Sequence, residues 1–177
     1  MRFPVFLVAL AFAALSLAPA QAGEAALSRL AGLLDQRLAL GVEVARTKWN
    51  SGQPIQDVPR EEAVIQATVT RAGELGIDPA LARDIITAQI AASRVLQEGL
   101  HRDWKAAGQG RFADALDLGR DLRPKFDALG RDLLAALKEA EAALKTDAGR
   151  SAMIQAGDEA MAGRPKAVRD TALAVFK

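Results

Sequence analysis

The chain of 177 residues carries 23 basic and 22 acidic side chains, so its formal charge is close to zero. A balanced charge of this kind argues against nucleic acid or a membrane surface as a partner. The sequence contains no cysteine and a single histidine, which excludes thiol catalysis and cysteine metal sites and argues against a Ser-His-acid triad or a histidine-rich metal site.

The first residues of the chain predict an export signal rather than a folded element. Arg2 gives a positive start, residues 3–17 are almost wholly apolar, and Ala20-Gln21-Ala22 fits a small-residue cleavage site. A retained membrane anchor is disfavoured, because the apolar run is short for a bilayer span and no stop-transfer pattern follows. We therefore expect a cleaved signal peptide at residues 1–22. Residues 23–177 should form one periplasmic or secreted domain, with no membrane attachment after cleavage.

The rest of the sequence predicts an all-α, single-domain bundle of about five to six helices. Abundant alanine and leucine and an aromatic content of only 5% favour helices over strands. Turn residues follow Asn50, and Asp78-Pro79 is a helix start signal. Pro124 either begins the fourth segment or interrupts a longer helix that begins near Phe112. The predicted segments are 24–50, 59–76, 78–104, a loop at 105–110, a fourth helix through Leu144, and 148–176 with a break near Gly163 and Pro165.

Two cations in the first helix indicate an anion-binding face. Arg37 and Lys48 are eleven residues apart, which leaves only about 20° between them around a helix. Their neighbours are mostly apolar, so both cations need an anionic partner. The other polar candidates are Asp57, Arg60 and Glu61 at the start of the second helix, and Ser93 and Gln97 on the third. Together these residues predict a pocket for a small dianion.

The same residues carry a resemblance to a known family. The stretch "RLALGVEVARTKWNSGQPIQDVPRE", followed by "QIAASRVLQ", resembles the all-helical chorismate mutases, and the signal peptide and extra C-terminal helices resemble their exported gamma subclass. The resemblance implies a fold of chorismate mutase type II and the rearrangement of chorismate to prephenate, a step of aromatic amino-acid biosynthesis. It implies no cofactor and no metal. The enzyme's tasks would be to select the reactive conformer and to stabilise charge on the departing ether oxygen.

The resemblance gives the two cations separate roles. Arg37 would bind a substrate carboxylate, for which its planar fork allows a bidentate contact. The structural alternative is an arginine paired with a neighbouring acid such as Asp35. Lys48 would donate a hydrogen bond to the ether oxygen and could also reach a carboxylate. Its alternative is a solvated lysine that lies beside Trp49 at the helix end.

Three residues at the start of the second helix match further family positions. Asp57 and Glu61 would recognise the substrate hydroxyl, and Arg60 would support the carboxylate region. Asp57 could equally serve as the helix cap, and both roles are compatible. Arg60 could instead be an exposed first-turn residue, although a cation there opposes the helix dipole.

Ser93 and Gln97 lie one turn apart on the third helix, and Gln89 extends the same stripe. The family places Ser93 at a carboxylate and Gln97 at the ether oxygen. A polar network between helices is the alternative. We assign catalytic roles to Lys48, Gln97 and Arg37.

The arginine for the remaining carboxylate contact is harder to place. Shorter dimeric members supply it from a position equivalent to Ala20, whereas the exported subclass draws it from a later helix. Alignment of "FDALGRDLL" puts Asp132 at that position, with Arg131 one residue and about 100° away. Arg131 could therefore serve only with a shift of register, and Arg123 is a further candidate.

Two other functions remain open at the level of sequence. An exported, non-catalytic helical module could bind a ligand or a partner protein through the same pocket, and a chaperone or structural bundle would need no role for Arg37 or Lys48. A site within one chain permits a monomer, while the subclass resemblance also fits a homodimer. Trp49 and Trp104 are expected to pack at helix ends, and His101 is expected on the surface.

Overall fold

The computed structural model describes residues 17–177, which contain helices and no strand. The prediction of an all-α bundle of five to six helices is confirmed. The α-helices of the described residues are α1 (Leu17–Ser51), α2 (Val58–Glu74), α3 (Pro79–Ala106), α4 (Arg123–Leu144), α5 (Asp147–Ala160) and α6 (Lys166–Leu173). A π-helical turn, Leu118–Leu122, precedes α4, and a 3-10 turn, Ala174–Phe176, follows α6.

Helix α1 begins earlier than predicted. It already includes Leu17, the first described residue, rather than beginning near Glu24, and it passes without interruption through the expected cleavage site at 20–22. Residues 18–25 are rich in alanine, which favours a helix. The rest of the predicted signal, residues 1–16, lies outside the described residues. Within residues 17–177, no helix combines the length and apolarity required to cross a bilayer.

Local signals position the next two helices as expected. The Asp57 side chain caps α2 by accepting from the Arg60 backbone N–H at 3.2 Å. The Asp78 side chain caps α3 by accepting from the Ala80 N–H at 2.8 Å. Between them the chain reverses at Gly76, whose φ of 65° is a left-handed conformation that favours glycine. This short turn lets α3 pack back along α2.

The fourth helix resolves the ambiguity at Pro124. Residues 107–117 are non-helical, so the loop is longer than the predicted 105–110. The Asp117 side chain then accepts from the Gly119 and Arg120 N–H groups and starts the π-helical turn. Pro124 lies in the first turn of α4, where its missing N–H costs no helical hydrogen bond. The predicted break near Gly163 and Pro165 is also confirmed, because residues 161–165 separate α5 from α6.

Helix α1 is the central element and packs against α3, α4 and α5. Its fully buried face includes Leu30, Leu34 and Leu38, as the 3.6-residue repeat requires. A Cβ on Gly41 would lie 2.8 Å from the Ser93 hydroxyl, so α1 and α3 approach closely at this point. The opening between α1, α2, α3 and α4 is where the candidate site forms.

An aromatic cluster near the ends of α1 and α3 corrects one prediction. His101 is partly buried rather than on the surface, with its ring centroid 5.3 Å from that of Trp49 and its Nε2 2.9 Å from the Ala45 carbonyl oxygen. Trp49 and Trp104 pack edge to face at 5.8 Å, as expected for packing residues. The loop at 107–117 adds Phe112 beside Trp104. His101 itself is covered by α1, through Trp49 and the Ala45 carbonyl oxygen, a contact that α3 alone does not reveal.

Candidate active site

A cavity of about 520 Å³ lies between α1, α2, α3 and the α4 region. Its lining includes side chains that lie up to 97 residues apart in the chain, from Arg37 to Leu134. All eight residues that the sequence singled out for the site line this cavity: Arg37, Lys48, Asp57, Arg60, Glu61, Ser93, Gln97 and Arg131.

Positive charge dominates the cavity lining. Seven cationic side chains and only three carboxylates line it, which leaves a formal charge of +4 in a chain whose net charge is +1. Charge concentrated in a concave site attracts ligands of the opposite sign and repels cations. The cavity therefore suits an anion better than a metal ion.

Arg37 lies at the cavity wall without an acidic partner among residues 17–177. Burial lowers the pKa of its guanidinium from its ordinary value to about 10, which still leaves it charged at neutral pH. Its Cζ stands 5.2 Å from the centre of the Phe126 ring, a cation–π contact. Asp35, the alternative partner, pairs instead with Arg164, whose Nε lies 2.7 Å from Oδ1. Arg37 is thus a desolvated cation available to an anion.

Lys48 is buried rather than solvated, with 9% of its surface exposed. Its ammonium donates to the Ile55 carbonyl oxygen at 2.6 Å, which ties the loop before α2 to α1. Burial lowers the pKa of Lys48, and the negative charges of Asp57 and Glu61 oppose that shift. An ammonium has three protons, so two remain for a ligand.

The start of α2 contributes both a cap and a cavity wall. Asp57 caps the helix, as one of its two predicted roles requires, and it also lines the cavity. Arg60 is exposed and lines the cavity at the same end. Glu61 is partly buried, and its Oε2 lies 3.7 Å from Nη1 of Arg94 on α3.

On α3, Gln97 donates from Nε2 to the Ser93 hydroxyl at 3.0 Å. The Gln97 Oε1 atom is buried and has no hydrogen-bond partner among the described residues, and the same holds for both polar side-chain atoms of Gln89. The alternative of a satisfied polar network between helices does not describe this stripe. The Gln97 amide has a second N–H, which could donate a hydrogen bond to a ligand.

Helix α4 places Arg131, not Asp132, at the cavity. The lining positions 123, 126, 127, 130 and 131 recur at the three- and four-residue spacing of one helical face. Arg123 lies on this face too, so both candidate arginines for the second carboxylate reach the cavity.

Sequence reasoning missed several of the lining residues. Arg71 follows Asp57, Arg60, Val64 and Thr68 along one face of α2, a spacing that could have revealed it. Arg94 and Asp127 had no comparable signal, because their place at the cavity depends on how α3 and α4 pack.

The part of the chain that carries most of the site matches a known protein family. Residues 28–98 match the family model of chorismate mutase type II, a segment that holds seven of the eight predicted residues and excludes Arg131. The chain is 33% identical over 99 residues to a secreted chorismate mutase of Mycolicibacterium smegmatis, an alignment that covers 56% of this chain and 54% of that protein. The chain spans about half the length of the curated relatives it matches.

Two solved structures are similar over nearly their full length. A chorismate mutase from Burkholderia thailandensis has a TM-score of 0.74 at 36% identity, and the alignment covers 86% of this chain and 99% of that one. A chorismate mutase from Burkholderia phymatum has a TM-score of 0.75 at 26% identity, with coverage of 88% and 98%. Both alignments extend well beyond the segment that the family model matches.

Proposed function

We propose, because this chain belongs to the type II chorismate mutase family, that it converts chorismate to prephenate in the cavity between α1 and α4. The observation that carries this proposal is the convergence of Arg37, Lys48 and Gln97 on one positively charged cavity. Chorismate is a dicarboxylate, and the cavity lining holds four more cations than carboxylates. The reaction is intramolecular: the bond to the ether oxygen breaks as a new carbon–carbon bond forms.

The ether oxygen gains negative charge as its bond breaks, so hydrogen-bond donors aimed at it lower the barrier. Lys48 and Gln97 supply those donors. Lys48 is held by Ile55, and Gln97 is held by Ser93, so both donors are oriented before the substrate binds. A donor that is already oriented does not have to reorganise during the reaction, so no free energy is lost to reorganisation.

The remaining residues select the compact conformer that reacts. Arg37 binds one carboxylate, supported by Ser93, and Arg131 or Arg123 from α4 reaches the other. Arg60 on α2 lies beside the bound carboxylate and supports it. Asp57 and Glu61 accept hydrogen bonds from the substrate hydroxyl group. Contacts at both ends of the substrate hold the reacting carbons together, which lowers the entropic part of the barrier.

Loss of chorismate absorbance on addition of the purified protein tests this function. The proposal predicts a rate far above the spontaneous one, saturation with chorismate and inhibition by a dicarboxylate mimic of the transition state. Folded protein that leaves the spontaneous rate unchanged would rule the activity out.

Gln97 leads to a prediction on pH. An amide donates at any ordinary pH, so wild-type turnover should vary little from about pH 5.5 to 8 and should fall only at alkaline pH, as Lys48 loses its proton. Gln97→Glu should be active only where the introduced carboxyl group is protonated, so its turnover should fall as pH rises. Rate–pH profiles of the two proteins, with circular dichroism to monitor folding, measure this. Identical profiles would contradict the role of Gln97.

We further propose export to the periplasm or beyond the cell through cleavage of residues 1–22. The apolar segment at 3–17 supports this, as does the similarity to a secreted chorismate mutase of Mycolicibacterium smegmatis. Mass spectrometry of protein recovered outside the cytoplasm should find a chain that starts at Gly23, and an intact chain that begins at Met1 would contradict cleavage.

Homodimer formation stays a prediction that sedimentation analysis can test.

A further inference from the structure

Arg94 is a cavity residue whose position suggests a specific task. It lies on α3 directly after Ser93, and its Nη1 is 3.7 Å from Oε2 of Glu61 across the α2–α3 interface. The two side chains are 34% and 20% exposed, so the pair is partly shielded from water. Both residues line the cavity.

Glu61 is close enough to two cations for them to compete for it. Its negative charge acts on Lys48 as well as on Arg94. The hydrogen bond of the Lys48 ammonium goes to the Ile55 carbonyl oxygen, and no ion pair joins Lys48 to Glu61 or Asp57 in residues 17–177. Asp57 is engaged at the α2 N-terminus, where it accepts from the Arg60 N–H. The charge of Asp57 acts on Lys48 more strongly than that of Glu61, but the Asp57 side chain is held by the helix cap, whereas Glu61 is free to rotate toward Lys48.

We infer that Arg94 is a positioning residue, which holds Glu61 away from Lys48 so that the Lys48 ammonium stays free for the substrate. This inference rests on the proposed function. A close Glu61–Lys48 pair would occupy the protons that the ether oxygen needs and would draw Glu61 away from the substrate hydroxyl. Arg94 prevents both effects because it offers Glu61 a cation on the opposite helix.

A double-mutant cycle tests the inference. Arg94→Gln should lower kcat about tenfold with a smaller change in KM, and the same change in a Glu61→Gln background should matter less than about twofold. Arg94→Lys should restore much of the lost turnover, because it again offers Glu61 a cation. The control is Arg102→Gln, two turns along α3 and outside the cavity, which should leave kcat unchanged.

A titration of Lys48 by NMR, without substrate, provides a readout independent of turnover. Loss of Arg94 should raise the pKa of Lys48 more when Glu61 is present than in the Glu61→Gln background, because Glu61 is the carboxylate that Arg94 holds. Equal shifts in the pKa of Lys48 in the two backgrounds would overturn the inference. It would also be overturned if loss of Arg94 raised only KM, and by the same factor with and without Glu61. An inactive wild type that nevertheless shows the unequal shifts would refute the proposed function and leave the Glu61 arrangement standing.

Discussion

Replacement of Lys48 by methionine should lower kcat by about 100- to 1,000-fold, the loss expected when a preorganised donor to a developing negative charge is removed. Methionine keeps the length and much of the shape of lysine, so the nearly buried position stays filled. The ammonium is held by Ile55 and has two further protons, so its loss should affect the transition state more than substrate binding. Steady-state kinetics measure kcat and KM for the variant.

The change also removes the hydrogen bond to Ile55, so the folding of the variant has to be checked beside its kinetics. Lys48→Ala should be about as inactive as Lys48→Met and should retain full helicity. Lys105→Met, at an exposed position near the end of α3 and outside the cavity, is the matched control and should be fully active. A Lys48→Met protein with near-normal kcat would show that the ammonium has no role in the chemistry.

Replacement of Arg37 by methionine should abolish efficient catalysis without loss of stability. We expect kcat/KM to fall by about 100-fold or more, since truncation of this partly buried cation leaves the substrate carboxylate unpaired. Stability should stay the same or rise. Burial lowers the pKa of Arg37 to about 10, so at neutral pH the folded state holds this proton less tightly than the unfolded state does, and the charge opposes folding. Methionine removes that opposition and can still pack on Phe126.

Thermal unfolding and kinetics on the same preparation measure both effects. Arg29→Met is the matched control on α1, because Arg29 is exposed and pairs with Glu139 at 2.8 Å, away from the cavity. That control should keep full activity. Saturating substrate analogue should raise the melting temperature of the wild type more than that of Arg37→Met, since only the wild type offers the buried cation. A less stable but active Arg37→Met protein would contradict this view of Arg37.

The part of the site on α1 to α3 was predictable because its signals are local. Arg37 and Lys48 share a helical face by spacing alone, and Asp57 is both a cap and a wall residue because the α2 N-terminus faces the cavity. These positions follow from helical periodicity and from short sequence motifs. Their distances from each other across helices are properties of the fold.

The remaining features depended on packing that a single sequence does not reveal. Arg131 reaches the cavity because it lies on the same face of α4 as Arg123 and Phe126. The alignment of the sequence places Asp132, one residue further on, at that position. Arg94 joins the site only because α3 folds back along α2 at Gly76 and meets Glu61. His101 was wrongly expected at the surface, since its partial burial depends on contacts with Trp49 and the Ala45 carbonyl oxygen of α1.

The most direct test of the central claim is an NMR time course of chorismate with the purified protein, which identifies the product, whereas loss of absorbance reports any consumption of the substrate. The account predicts prephenate as the sole product, formed faster than without protein and at a greatly reduced rate by Lys48→Met. Folded wild-type protein that gives no faster conversion, or that yields a different product, would contradict the account.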